Sequence, residues 1–187
     1  MSKAVMISIR PKWCEKICDG EKTIEVCKTR PKLETPFKVY IYCTAEMVGY
    51  DELWVLDAPS REKYLITAVC AYLQRAEGAN KGNRKVIGEF ICDRIYELAP
   101  LNHAPDDVEQ QACLTREEIV RYLKGVGYGW HISNLKIYDA PRELSELERP
   151  YECNECDAKW ATDCNACYEK RKIKRPPQSW CYVEEVE

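Results

Sequence analysis

Two stretches of the chain hold residue types that do chemistry at spacings that let them act together. In "CNECDAKWATDCNAC", Cys153 and Cys156 form one CxxC pair and Cys164 and Cys167 a second, with seven residues between the pairs. Each pair can place two thiolates on one ion, and a short loop closes a tetrahedral four-sulfur site of the structural zinc kind. Trp160 is the only large apolar group between the pairs, so bound metal would supply most of the folding energy of this loop, 151–170. Four thiolates leave no open position for a catalytic water, which makes zinc here a structural cofactor. Iron, or a thiol redox pair, is the other reading of the same spacing.

The second stretch is "GEKTIEVCK", residues 20 to 28. Strand alternation puts Thr23, Glu25 and Cys27 on one face and Ile24 and Val26 on the other. Glu25 can act as a general base for water while Lys22 stabilises developing negative charge. A hydroxyl nucleophile at Thr23 would need a base beside it. These three residues are the catalytic candidates if the chain is an enzyme. Alternatively Lys22 and Glu25 grip a ligand, or form a solvated ion pair at the start of a strand.

Around that stretch lie groups suited to a nucleotide. Arg10 and Lys12 follow the first apolar run and would add positive charge at the same mouth. Trp130 and His131 in "YGWH", and Trp180 near the end of the chain, offer aromatic faces of the kind single-stranded RNA or a splayed base stacks on. Core packing is the competing reading for both tryptophans, and a hydrogen-bonded structural role for His131.

Bulk properties narrow the class. The 187 residues are 45% hydrophobic and 32% charged, with a formal net charge of −3. That balance excludes a histone-like, purely electrostatic nucleic-acid binder. The charge is uneven, with nine Lys or Arg against five Asp or Glu in residues 1–38, and five against one in "EKRKIKR" (169–175). No apolar run approaches the roughly 20 residues of a membrane helix, and "MSKAVMISIRPKW" lacks a signal-peptide layout. We therefore expect a cytoplasmic protein without a membrane partner. In that compartment twelve cysteines read as reduced thiols and metal ligands rather than disulfides.

The elements that must position these groups follow from pattern. "AVMISI" (4–9), "KTIEVCK", "FKVYIYCT" (37–44), "VIGEFICDRIYEL" (86–98), "YGWHISNLKIYD" (128–139) and "SWCYVEE" (179–185) read as strands. Gly88 marks a bulge or a close backbone approach. "RPKWCEKICDG" (10–20) reads as a helix with Pro11 in its first turn and Gly20 at its C-cap, burying Trp13, Ile17, Cys14 and Cys18. Ser60 opens a helix that runs to Gly78, with Leu65, Val69 and Leu73 on one stripe. Thr115 and Glu118 make a capping box for "TREEIVRYLKG", which Gly125 ends, and "NHAPDD" reads as loop. This order predicts an α+β fold, a small mixed β-barrel flanked by helices.

The order of motifs resembles the ASCH-domain proteins of the PUA-like superfamily. Their hallmark is roughly GxKxxExR, and Gly20, Lys22 and Glu25 supply three of its positions. "RKVIGEF" (84–90), "YGWHISNLKIYDAPREL" and "RPPQSWCYVEE" are similar to later strands of short ASCH proteins of bacterial and prophage genomes, in which a cysteine-bearing loop also precedes the last strand. The resemblance spans 4–44, 84–98 and 128–187, and makes 45–83 a helical insertion into a single domain of 1–187. It implies a β-barrel with a cleft at the hallmark and an association with RNA, a nucleotide or a modified nucleoside. Some members hydrolyse 4-acetylcytidine with a lysine, a threonine and a glutamate. Here Glu25 stands where those members place the threonine, and Cys27 replaces the hallmark arginine.

Overall fold

The computed structural model of the chain describes residues 2–44, 84–98, 103–151 and 165–186. The helix expected over 60–78 and the cysteines Cys153, Cys156 and Cys164 lie outside the described residues. Six strands form one mixed sheet: β1 (Lys3–Ile9), β2 (Ile24–Cys27), β3 (Phe37–Cys43), β4 (Lys85–Glu97), β5 (Tyr128–Arg142) and β6 (Trp180–Glu184). Their order is β2-β5-β4-β3-β1-β6. β1 and β3 run parallel, which requires a crossover; the other four pairings are antiparallel. Helix α1 (Pro11–Cys18) and β2 lie within that crossover.

Alternation sorts each strand between two apolar environments. Val5, Ile7 and Ile9 of β1 join Val39, Ile41, Phe90 and Trp130 on the concave face, where α1 adds Cys14 and Ile17. Ala4 and Met6 point the other way, onto Tyr40, Tyr42, Leu147 and Ile173. β3 is therefore covered on both faces, which is why its alternating Tyr40 and Tyr42 are buried along with Val39 and Ile41. A third cluster packs Ile24 and Val26 of β2 and Leu98 against helices α2 (Val108–Ala112) and α3 (Arg116–Leu123). A 3₁₀ turn (Leu144–Glu146) and helix α4 (Asn165–Arg171) complete the described elements.

The expected mixed sheet is present, and β6 at one edge reaches by side chains to the segment that follows β2 at the other. Trp180 of β6 donates its indole N–H to Thr29 Oγ1 at 2.9 Å, and Tyr182 accepts the Lys32 backbone N–H at 2.7 Å. Trp180 also stacks obliquely on Trp130, with centroids 5.9 Å apart. The sheet thus curls into a barrel-like form sealed beyond β2 by aromatics.

Local signals place most boundaries. Pro11 opens α1, and Gly20 takes φ +74 just beyond its end. Cys18 is exposed, against the expectation that it lines the inner face, because α1 buries Cys14 and Ile17 and turns Cys18 outward. The capping box forms as expected, with the Glu118 N–H donating to Thr115 Oγ1 at 3.2 Å and the Thr115 N–H to Glu118 Oε2 at 2.8 Å. Lys124, not Gly125, is the left-handed residue that caps α3, at φ 55. α2 has no periodic signature in the sequence; five residues this short hold helical form through packing of Val108 and Ala112. Among the described residues no helix is long and apolar enough to cross a membrane.

Gly88 sits where the β4–β5 register shifts, and a Cβ there would lie 2.5 Å from the Lys136 carbonyl oxygen. Backbone cannot yield as a flexible side chain can. Gly88→Ala is expected to lower unfolding free energy by about 1–3 kcal/mol, read as a shift in the denaturant midpoint; an unchanged midpoint would show that the strands part at no cost.

Candidate functional site

Lys22 is the one charged side chain buried among the described residues, 3% exposed. The chain brings it there through three backbone tethers. The Lys22 N–H donates to the Lys16 carbonyl at 2.9 Å, the Thr23 N–H to the Gln111 carbonyl at 2.9 Å, and the Ile132 N–H to the Thr23 carbonyl at 2.8 Å. Its ammonium donates to the Ala112 carbonyl oxygen at 2.7 Å and lies 5.1 Å from the Trp13 ring centroid. A buried ammonium needs such partners, since burying it unpaired would cost several kcal/mol.

Glu25, three residues on, is the remaining partner, with Oε2 at 3.4 Å from Lys22 Nζ. That oxygen is sealed from solvent and accepts no hydrogen bond from the described residues. The side chain keeps 16% exposure, carried by its other atoms. Burial raises the Glu25 carboxyl above its ordinary range, and the Lys22 charge pulls it back.

Both residues line a cleft of about 550 Å³ between α1 and α3. Arg10, Trp13, Leu114, Glu118 and Tyr122 form its walls, and Ser8, Thr44 and Gln178 border the far side. Trp13 is half-buried and Tyr122 is 47% exposed, so aromatic surface flanks the ion pair from two helices. The Ser8 hydroxyl donates to the Pro177 carbonyl at 2.7 Å, tying the segment before β6 to the cleft edge. Such a pocket offers a donor and an acceptor on its floor and flat apolar faces at its sides, which suits a planar polar ring.

The remaining candidates fall differently. Arg10 lines the cleft and Lys12 lies 4.8 Å from the Trp13 ring centroid, exposed on the outer side of α1. Thr23 shares the parity of Glu25 but its hydroxyl donates to Gln111 Oε1 at 3.3 Å, on α2 rather than on the cleft wall. Trp130 is fully buried between Phe37 and Trp180, so its ring offers no face to a ligand. Trp180 is partly buried over the same core. His131 Nδ1 lies 2.6 Å from Asp93 Oδ1, paired at the sheet surface. Cys27 sits in the core beside Glu25, and burial, then the carboxylate, holds its thiol well above the ordinary range. Cys167 is buried in α4, and among the described residues no cluster of three His, Cys, Asp or Glu could hold a metal ion.

Among the site groups that sequence pattern did not single out are Tyr122 and the Ala112 carbonyl. A tyrosine on the polar side of an amphipathic helix is the signal for the first; the second belongs to a helix with no pattern of its own.

No protein-family model matches the chain, and no curated protein matches it. Among solved structures the chain is similar to the crystal structure of ASCH from Zymomonas mobilis, with 16% identity, 97% of this chain and 88% of that chain covered, and a TM-score of 0.48. It is also similar to a tyrosine-to-phenylalanine mutant of that protein, with 15% identity, 98% and 92% covered, and a TM-score of 0.48.

A carboxyl whose folded-state pKa is raised contributes stability that is full below its unfolded pKa and is lost as pH rises through the folded value. Wild type minus Glu25→Gln is therefore expected to favour wild type most near pH 4 and progressively less above the ordinary carboxylate range. Unfolding free energies measured from pH 4 to 8 check this; a difference that grows with pH would mean that Lys22, not burial, governs the carboxyl.

Proposed function

We propose that this chain is an ASCH-type, PUA-like protein that binds RNA by taking a nucleotide or modified base into the Lys22–Glu25 cleft. The observation that carries the reading is the buried ion pair on the floor of a 550 Å³ cleft with Trp13 and Tyr122 at its walls. The hallmark positions Gly20, Lys22 and Glu25 support it independently. A base presents ring carbonyls, which an ammonium recognises, and exocyclic amines, which a carboxylate recognises. Its faces stack on aromatic side chains. Arg10 at the mouth meets the phosphate that follows.

A hydrolase acting on a modified nucleoside is the second reading, favoured by the raised carboxyl of Glu25, which suits a general base. Thr23, the threonine candidate, does not line the cleft, so water activated by Glu25 would be the attacking group. A structural zinc ion on Cys153, Cys156, Cys164 and Cys167 belongs to either reading. Its support is the spacing of the four thiols and the buried position of Cys167.

The deciding assay presents the whole chain with single-stranded RNA and with 4-acetylcytidine. Binding without turnover is expected, weakened at least tenfold by Lys22→Met and by paired replacement of Trp13 and Tyr122 with alanine. Trp130→Phe is expected to lower thermal stability and leave affinity unchanged. Turnover lost with Lys22→Met and Glu25→Gln would assign a hydrolase. Neither binding nor turnover would leave a zinc-stapled interaction protein. Elemental analysis is expected to give one zinc per chain, reduced by Cys153→Ser; a metal-free chain of unchanged stability would remove the clip.

A further inference from the structure

The segment that leaves β2 carries basic side chains away from the cleft and into a second groove. Lys28 lies 4.9 Å from the centroid of Tyr122, the aromatic wall of the first cleft. Arg30 lies 5.5 Å from the centroid of Tyr128 and lines a groove of about 740 Å³ with Lys32, Leu33, Thr35 and Ile95. Lys28, Arg30 and Lys32 are exposed, and no carboxylate among the described residues lies within ion-pair distance of any of them. Among the described residues, Glu34 is the one acidic residue that borders the groove. Surface lysines elsewhere on the sheet, such as Lys38 and Lys85, are matched to glutamates.

The backbone beneath these cations is fixed. Thr29 is tied to the Trp180 indole and Lys32 to the Tyr182 hydroxyl, both on β6. Residues 28, 30 and 32 thus present charge from a tethered, bending segment just beyond β2. Tyr122 is shared by the cleft and by Lys28, and Arg30 by Tyr128 and the groove, so the two cavities are joined by a row of cations each laid against a ring. Cations interleaved with aromatics along a groove are what a single-stranded backbone with unstacked bases requires.

We infer that the groove lined by Arg30, Lys32, Leu33, Thr35 and Ile95 is a second binding site, which holds a nucleotide two positions along the strand from the one in the Lys22–Glu25 cleft, with Lys28 and Arg30 on the two intervening phosphates. This rests on the nucleotide-cleft reading and specifies its ligand as a single-stranded polynucleotide engaged at two sites. The first site selects by its buried polar floor. The second adds affinity through charge and apolar contact with Pro31, Leu33 and Ile95, and reads no base edge.

The test compares uridine monophosphate with a six-nucleotide single-stranded RNA on the full-length chain, by calorimetry at two salt concentrations. The expected result is hexanucleotide binding at least tenfold tighter than mononucleotide binding. Paired replacement Lys28→Ala and Arg30→Ala is expected to abolish that gain, leave mononucleotide affinity and thermal stability unchanged, and reduce the salt slope by about 1.4, the value for two phosphates of a single strand. Mononucleotide binding that depends on Lys22 with no gain from length would overturn the second site while leaving the cleft reading intact. A paired variant that binds the hexanucleotide like wild type would do the same. Absence of binding to either probe would overturn both.

Discussion

An ammonium in a protein interior has to be paired, and the Lys22 side chain imposes that requirement on three elements at once. The Ala112 carbonyl at the end of α2 accepts one of its protons at 2.7 Å, the Trp13 ring of α1 lies against it, and Glu25 of β2 supplies the countercharge. The carbonyls of the last helical turn have no partner within a helix, so Lys22 answers a deficit in α2 as well as its own. Removing any of these would expose an uncompensated charge. The convergence of α1, α2 and β2 on one atom therefore sets where the cleft lies and how wide it stands.

Curling of the sheet provides the other half of the geometry. Both faces of β1 and β3 are covered, leaving the ends of the curl as the places where polar groups can be both held and reached. The cleft opens where β1 passes into α1, and the groove opens beyond β2, where Trp180 and Tyr182 bring the far edge strand over to residues 29–32. Trp130 serves this closure. Packed between Phe37 and Trp180, it spends its ring on the core, and its indole N–H finds no acceptor among the described residues.

The electrostatics of the site are graded by depth. Glu25, at the floor, is raised by burial against the pull of Lys22, while Glu118, at the rim, is lowered by the hydrogen bonds of its capping box. Two carboxyls facing one cleft thus differ in environment, one buried against Lys22 and the other committed to starting α3. Positive charge at the mouth comes from Arg10 and, along the edge, from Lys28 and Arg30.

Sequence alone determined the features whose physics is short-range. Alternation in "FKVYIYCT" and "VIGEFICDRIYEL" located β3 and β4, the Thr115–Glu118 spacing located the start of α3, Gly88 marked a close strand approach, and the hallmark singled out Lys22 and Glu25. Tertiary structure decided which aromatics are walls and which are core. Trp130 and Tyr122 both sit in amphipathic elements, yet one is sealed inside the curl and the other stands at the cleft, because exposure depends on what strands and helices far along the chain lay over each ring. The same holds for α2, whose five residues lack a periodic signature and become a helix through packing, and for the pairing of Thr29 and Lys32 with β6, some 150 residues away. A local pattern encodes which face of an element is apolar; only the assembled sheet settles what that face meets.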